Sequence, residues 1–139
     1  MTYLANYREA LTTSINAVDA QKLEDFRSAL ASVRAAGGTI YTCGNGGSAS
    51  TASHFATDLL KGASYEKELK FRVVALTDAV STISAYSNDV GYEVVYEEQL
   101  RNFLNPGDIV VAISGSGNSE NVIRALSYAN EHGALSVGL

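Results

Sequence analysis

The sequence predicts an α/β domain built around a parallel β-sheet. Short runs of β-branched and aromatic residues alternate with longer stretches in which apolar residues recur every three or four positions. The first pattern is typical of buried strands and the second of helices that cover a sheet. Strands that alternate with helices are joined by right-handed crossovers, so we expect them to run parallel. The 139 residues suffice for one continuous core, and no linker or low-complexity segment divides them.

Four strands are predicted, at residues 39–43, 71–76, 109–113 and 134–139. Between and after them, helices are expected at 49–61, through Ile83 and Tyr86, over 92–104 and over 120–131. The run Ile109 to Ile113 is apolar without interruption, which is typical of a strand buried on both faces. The last strand has no helix after it to cover it. We therefore expect the natural domain to continue beyond Leu139.

Two amphipathic helices are predicted before the first strand. The first is marked by apolar residues at helical spacing, namely Leu4, Tyr7, Leu11, Ile15 and Val18. The second carries the same spacing from Leu23 to Val33 and stops at Gly37 and Gly38. Residues 1–36 thus form an N-terminal helical hairpin. Either both helices cover a face of the sheet, or they also pair with another subunit.

The charge and the cysteine content limit the possible partners and compartment. Ten Lys and Arg against fifteen Asp and Glu give a net charge of −5, which argues against a nucleic-acid partner. The N-terminus lacks the apolar run of a signal peptide, and no stretch approaches the ~20 apolar residues that cross a bilayer. A single cysteine, Cys43, rules out an internal disulfide framework. These features predict a cytoplasmic protein without a membrane partner.

Two loops rich in serine and glycine follow predicted strands and precede predicted helices. They are the first loop, residues 44–48, and the second loop, residues 114–119. Ligands of open parallel sheets bind beyond the carboxyl ends of strands, and helix N-termini there favour anions. Serine hydroxyls add donors, and glycine lets the backbone approach closely. We expect Ser114, Ser116 and Ser119 to bind a phosphate, and Asn45, Gly46, Gly47 and Ser48 to contact a sugar.

Other interpretations of the first loop remain open. It can be a plain turn from strand to helix with Ser48 as the helix cap. A P-loop is excluded because neither loop contains a lysine. The spacing Gly44, Gly46, Ala49 satisfies a variant of the dinucleotide-binding motif, but the acidic residue that this motif requires, here Asp78, comes late. Binding of NAD is therefore kept as a minor alternative.

At these residues the sequence resembles the sugar isomerase (SIS) domain family, in particular its bacterial phosphoheptose (sedoheptulose 7-phosphate) isomerases. The stretches that carry the resemblance are 44–48 with His54-Phe55-Ala56, 77–91 with Asn88-Asp89, and 114–122. The resemblance implies a three-layer, flavodoxin-like fold and assembly into dimers or tetramers with sites at subunit interfaces. It also implies that Asn88 and Asp89 contact the sugar and that Gly115 joins the serines around the phosphate.

The resemblance further implies a metal and a catalytic base on the helix after the first loop. His54 matches a metal-binding histidine, and Asp58 matches a residue that is both ligand and base, with zinc as the metal. The family usually has Glu at the position of Asp58 and Thr at the position of Gly115. Its other metal ligands, a glutamine and a histidine, lie beyond Leu139. Without the resemblance, the spacing alone favours a helix that carries a histidine and a solvated Asp58 without a functional role.

The sequence and the resemblance leave three alternative functions. The first is isomerisation of a ketose phosphate to an aldose phosphate, with sedoheptulose 7-phosphate and D-glycero-D-manno-heptose 7-phosphate as the expected pair. The second is a non-catalytic SIS module that binds a sugar phosphate and regulates or docks a protein partner, which the shorter Asp58 favours. The third is dinucleotide binding.

Overall fold

The centre of the structure is a four-stranded parallel sheet with the strand order β2-β1-β3-β4. The structure is a computed structural model that describes residues 2–139. The strands are β1 (Thr39–Gly44), β2 (Arg72–Ala75), β3 (Ile109–Ile113) and β4 (Leu135–Gly138). All neighbouring strands pair in parallel, so the four predicted strands and their direction are confirmed.

Residues 2–139 also form six α-helices. They are α1 (Tyr3–Asn16), α2 (Ala20–Ala36), α3 (Gly47–Thr57), α4 (Val80–Asp89), α5 (Glu97–Phe103) and α6 (Glu120–Glu131). Helix α2 begins after Asp19 because this residue caps it: the Asp19 carboxylate accepts hydrogen bonds from the N–H groups of Gln21 and Lys22 at 2.9 and 3.2 Å. Gly37 ends α2 in the left-handed conformation, with a φ of 72°.

Residues that alternate along each strand enter two separate cores. Ile40, Ile109 and Val111 point to one face and pack with α2, α3 and the turn after it. Tyr41, Cys43, Val110 and Ala112 point to the other face and pack with α4, α5 and α6. Two helical layers thus enclose the sheet, which confirms the three-layer, flavodoxin-like class. The burial of both faces explains why the central strands are almost wholly apolar.

Two predicted helices differ from the structure. The helix expected at 49–61 begins earlier, at Gly47, and passes after Thr57 into a π-helical turn over Asp58–Gly62. The continuous helix expected over 92–104 was wrong, since a 3-10 turn over Tyr92–Val94 precedes α5. Residues 94–97 are all buried, and one face of a helix cannot bury four successive side chains.

The N-terminal helical hairpin is present, but its two helices behave differently. Helix α2 packs on the sheet through Phe26, Leu30 and Val33. No residue of α1 is buried, and its apolar side chains from Tyr3 to Ile15 face solvent. Only α2 therefore fits the interpretation that the hairpin covers the sheet.

Candidate functional site

The carboxyl ends of β1 and β3 lie side by side at the centre of the sheet. Gly44 and Ile113 are partners in the strand register. From β1 the chain passes to β2 on one side, whereas β3 lies on the other side, so the strand order reverses between β1 and β3. Open α/β sheets bind ligands in the crevice outside such a reversal. Both predicted ligand-binding loops emerge at this point.

Gly44 allows the first loop to lie against the end of β3. A Cβ atom at Gly44 would lie 2.8 Å from the carbonyl oxygen of Ile113 and 2.8 Å from the carbonyl carbon of Ser48. A Cβ atom at these distances would clash with backbone atoms, which cannot move aside as the end of a flexible side chain can. The glycine is therefore required by close packing between the two loops.

Three side chains hold Asn45 in place. Its carboxamide pairs reciprocally with that of Asn121, with Nδ2 to Oδ1 distances of 2.9 and 3.0 Å. The Tyr92 hydroxyl donates to Asn45 Oδ1 at 2.8 Å. The Tyr96 hydroxyl donates to the Gly44 carbonyl oxygen and lies 3.3 Å from Asn45 Oδ1. We call Asn45, Asn121, Tyr92 and Tyr96 the Asn45 cluster.

The remaining residues of the first loop open towards solvent. Gly46 has a φ of 54° and occupies the N-cap of α3, where no side chain caps the helix. The structure therefore does not show the cap interpretation of Ser48. Gly46 and Gly47 are exposed, and no atom lies within 4 Å of where their Cβ atoms would be. Space remains beside both glycines for a ligand.

The second loop is a compact turn stabilised by its own serines. Ser114 Oγ accepts from the N–H of Gly117 at 3.1 Å, and Ser116 Oγ accepts from the N–H of Asn118 at 3.2 Å. The two hydroxyl oxygens lie 3.4 Å apart. Both hydroxyls thus accept from the backbone, and since only one of them can donate to the other, a hydroxyl hydrogen remains to donate to a ligand. Gly115 and Ser116 are exposed, so an anion can reach this face of the loop.

Ser119 completes the second loop at the start of α6. It occupies the N-cap of this helix, yet its side chain makes no capping hydrogen bond. The helix has twelve residues and begins at the ligand-facing edge of the sheet. Its N-terminus is favourable for an anion, and the Ser119 hydroxyl is free of the usual capping role.

Asn88 and Asp89 lie between the first loop and the second loop along the sequence. They end α4, and Asn88 Nδ2 donates to Asp89 Oδ1 at 2.7 Å. Both side chains are exposed. Among residues 2–139, no hydrogen bond joins them to either loop, but Tyr92 of the Asn45 cluster follows three residues later. The link between this pair and the site is thus through the chain to Tyr92.

His54 on α3 and Asp58, the first residue of the π-helical turn that follows, meet as their spacing predicts. His54 Nε2 lies 3.5 Å from Asp58 Oδ2, and both side chains are largely exposed, at 77% and 63%. An imidazole nitrogen and a carboxylate oxygen are donors that zinc accepts. Within residues 2–139, however, no three His, Cys, Asp or Glu side chains gather to hold a metal. The pair alone supplies half of a tetrahedral ligand set.

Comparison with known proteins identifies the family. The SIS domain model matches residues 2–139. The chain belongs to the SIS domain family. It is 37% identical over 133 residues to the phosphoheptose isomerase of Dechloromonas aromatica, covering 91% of this chain and 65% of that protein. It is 36% identical over 134 residues to that of Aquifex aeolicus, covering 94% and 69%.

A solved structure agrees with this assignment. The phosphoheptose isomerase GmhA of Neisseria gonorrhoeae superposes with a TM-score of 0.83 at 33% identity, covering 98% of this chain and 72% of that one. The resemblance predicted from the loop motifs is thereby confirmed. This SIS domain spans about two thirds of the length of the curated relatives described above.

The dinucleotide alternative has little support in this SIS domain. Its required acidic residue, Asp78, follows β2 and accepts a hydrogen bond from the Ser53 hydroxyl on α3. Ser53 also lies 3.1 Å from the Thr77 hydroxyl oxygen. The carboxylate thus connects β2 to α3. The second loop is exposed like the first. A dinucleotide site would need only the first loop, so it would not account for the second.

The sequence alone does not indicate the role of three members of the Asn45 cluster. Asn121 lies within the 114–122 stretch, and Tyr92 and Tyr96 lie within the helix predicted over 92–104. The spacing of the two tyrosines, four residues apart, is the one signal that could have indicated a shared direction. Their common partner, Asn45, is 47 and 51 residues away, which no local pattern reveals.

Ionisable side chains on and next to α5 and α6 stabilise the structure around the Asn45 cluster. Burial raises the pKa of Tyr96, so its hydroxyl stays protonated and able to donate. The neighbouring Glu97 is buried, which by itself raises its pKa, but hydrogen bonds from Arg124 and Arg101 lower the pKa overall. The Glu97 carboxylate lies 2.7 Å from Arg124 Nε and 2.6 Å from an Arg101 nitrogen. This ion pair ties α5 to α6 beside the Asn45 cluster.

Proposed function

We propose that this SIS domain interconverts a ketose phosphate and an aldose phosphate, with sedoheptulose 7-phosphate and D-glycero-D-manno-heptose 7-phosphate as the pair. The observation that carries the proposal is the pair of open, donor-rich loops at the reversal between β1 and β3. The relatives named phosphoheptose isomerase in three organisms support it.

The second loop is proposed to bind the phosphate. The hydroxyls of Ser114, Ser116 and Ser119 and the backbone at Gly115 surround the start of α6. A phosphate presents oxygen acceptors in all directions, so several small donors and a helix N-terminus suit it. A net charge of −5 does not oppose this binding, because the donors act locally.

The first loop and the end of α4 are proposed to contact the sugar. Asn45, Gly46, Gly47 and Ser48 lie on the β1 side of the same crevice. Asn88 and Asp89 would add an amide and a carboxylate, and both side chains are exposed. Sugar hydroxyls both donate and accept, so this mixed set fits a polyol chain.

Asp58 is proposed to act as the catalytic base. Removing a proton from C1 of the ketose, beside the C2 carbonyl, gives an enediolate with its charge on O2; transfer of the O1 proton to O2 and return of the removed proton to C2 give the aldose. Carboxylates commonly perform such transfers when the bound substrate excludes water. The Asp58 carboxylate is exposed in the single chain, so the substrate or a second subunit must shield it.

Zinc is proposed as the cofactor. His54 and Asp58 would supply two of its ligands, since these two side chains are the donors that meet at the end of α3. When bound, zinc would act as a Lewis acid on the carbonyl oxygen.

The domain is also proposed to form a homo-oligomer through α1. Tyr7, Leu11 and Ile15 lie at helical spacing, and between 47% and 61% of each remains exposed. Exposed apolar rows of this kind mark association surfaces. Light scattering should report a dimer or tetramer, and Leu11→Glu with Ile15→Glu should shift the mass towards the monomer. A wild-type monomer at micromolar concentration would contradict this proposal.

A cytoplasmic location is proposed as well. The single cysteine, Cys43, is a buried free thiol rather than part of a disulfide framework. Separately, none of the helices described in residues 2–139 has the length and apolar character to cross a bilayer.

Turnover of sedoheptulose 7-phosphate by the full-length protein tests the proposed reaction. In deuterium oxide, NMR should show the aldoheptose phosphate forming with deuterium at C2. Asp58→Asn should lower kcat by about 10²- to 10⁴-fold, the usual contribution of a general base, while phosphate affinity is retained. Asp25→Asn, an exposed aspartate on α2, is the matched control and should keep wild-type turnover.

Two outcomes would separate the remaining functions. Binding of the sugar phosphate without turnover or deuterium uptake would support the alternative function, a non-catalytic SIS module. Binding of NAD that survives Ser114→Ala with Ser116→Ala would instead support a dinucleotide site. Asp58→Glu, which restores the family's usual side chain, should retain activity if the carboxylate is the base.

A further inference from the structure

The hydrogen bonds of the Asn45 cluster leave one position on Asn45 unused. A carboxamide oxygen accepts two hydrogen bonds, and the NH2 group donates two. Asn45 Oδ1 accepts from Asn121 Nδ2 at 3.0 Å and from the Tyr92 hydroxyl at 2.8 Å. One N–H of Asn45 donates to Asn121 Oδ1 at 2.9 Å. Within residues 2–139, only the second N–H of this side chain has no partner.

The orientation of Asn45 is fixed by groups that cannot easily turn. Asn121 is 98% buried, with a relative exposure of 2%, and it lies in the first turn of α6. Losing its reciprocal pair would leave a buried amide unsatisfied, which is costly. The Tyr96 hydroxyl holds the carbonyl of Gly44, directly before Asn45, and so fixes the backbone as well.

The cluster also joins the segments that face the ligand. Asn121 follows the second loop, Asn45 belongs to the first loop, and Tyr92 follows Asn88 and Asp89. A shift in any of these segments therefore moves the Asn45 side chain. Such a network is more than is needed to pack a half-buried asparagine.

We propose that Asn121 and Tyr92 are positioning residues that hold Asn45 as a hydrogen-bond donor towards the substrate. This inference rests on the proposed function and adds the kind of substrate atom that Asn45 meets. With its oxygen already occupied, Asn45 faces a substrate oxygen that accepts, such as a carbonyl or enediolate oxygen. A donor fixed in advance favours such an oxygen, because no reorientation is needed when the ligand binds.

Tyr92→Phe tests the inference with the smallest change. It removes one oxygen from a ring that is 49% exposed, so folding should be little affected. The KM for sedoheptulose 7-phosphate should rise about 3- to 10-fold, the usual weight of one hydrogen bond. The Kd of inorganic phosphate, which needs only the second loop, should stay unchanged. Tyr65→Phe, at a ring that is 66% exposed, is the matched control and should behave as wild type.

A double-mutant cycle separates positioning from general stability. In an Asn45→Ala background, Tyr92→Phe should have no further effect on KM, because its target is gone. Asn121→Asp keeps the acceptor for Asn45 but loses the donor, so it should raise the KM at least as much as Tyr92→Phe. Both variants should be compared with wild type for their unfolding midpoints in urea.

The side-chain amide signals of Asn45 in ¹⁵N NMR provide a readout that needs no turnover. Titration with the sugar phosphate should move one of the two Asn45 amide hydrogens strongly and the other little. Persistence of the Tyr92→Phe effect in the Asn45→Ala background, or an equal loss of phosphate affinity, would overturn the inference. Binding without turnover would defeat the isomerase proposal alone, since the amide signals would still decide the role of Asn45.

Discussion

The two ligand-facing loops start from paired residues of β1 and β3, yet they are held in different ways. The second loop is stabilised by itself, because Ser114 and Ser116 accept hydrogen bonds from N–H groups two or three residues away. The first loop depends on distant partners, since Asn45 is bound by Tyr92 and by Asn121, 47 and 76 residues along the chain.

This difference matches what each loop is proposed to bind. A phosphate accepts hydrogen bonds from any direction, so a short turn with small donors is sufficient. A sugar offers oxygen atoms at particular positions, so a side chain that recognises it must be aimed. Local sequence can build the first kind of site, whereas the second kind needs support from the whole fold.

The largest effect is expected where the two loops touch. Gly44→Ala would place a methyl group 2.8 Å from the Ile113 carbonyl oxygen, so the loops must separate. We expect the free energy of unfolding to fall by about 2–3 kcal/mol and the affinities for phosphate and sugar phosphate to fall together. Urea unfolding and calorimetry measure both. Gly62→Ala, where no atom lies within 4 Å, is the control, and an equal loss there would contradict the packing explanation.

The second loop alone is tested by removing two hydroxyls. Ser114→Ala with Ser116→Ala should weaken phosphate binding about 10- to 100-fold, because each hydroxyl would donate to a charged oxygen. The NMR signals of the Asn45 side chain should remain unchanged. Ser127→Ala, at an exposed serine on α6, serves as the control. If the double variant bound phosphate as tightly as wild type, the second loop would not be the phosphate-binding site.

The support behind the first loop is tested through Glu97. Glu97→Gln should lower the free energy of unfolding by about 1–2 kcal/mol at pH 7, since it weakens the bonds to Arg101 and Arg124. The lowered pKa of Glu97 stabilises the fold above the ordinary value of 4.5, and this stabilisation is lost as the pH falls through the folded-state pKa. Urea unfolding at several pH values should therefore show the two proteins converging in acid. A difference that grows in acid would refute this account.

The smallest effect is expected at Cys43, directly before the first loop. Burial raises the pKa of its thiol to about 12, because the thiolate would be desolvated. A disulfide reagent at pH 8 should therefore label the folded protein very slowly and the unfolded protein at once. Rapid labelling of the folded form would show that β1 opens near the first loop.

The sequence determined the frame because the frame follows from local rules. The apolar run of β3 and the glycine stop after α2 fixed the number and order of the elements. The second loop could also be predicted, since its donors and its turn lie within six residues. The break before α5 escaped prediction, because burial of four successive residues overrode the helical pattern. The π-helical turn after Thr57 also escaped prediction, and no local pattern in the sequence indicates it.

Tertiary structure alone decided how Asn45 is oriented and which helix of the N-terminal hairpin packs on the sheet. Helices α1 and α2 share the same apolar spacing, yet only α2 contacts the core. Asn121 and Tyr92 are ordinary residues in their own segments, and they meet Asn45 only because the strand order brings β1 and β3 together. Hydrogen bonds depend on distance and direction in space, and separation along the chain specifies neither.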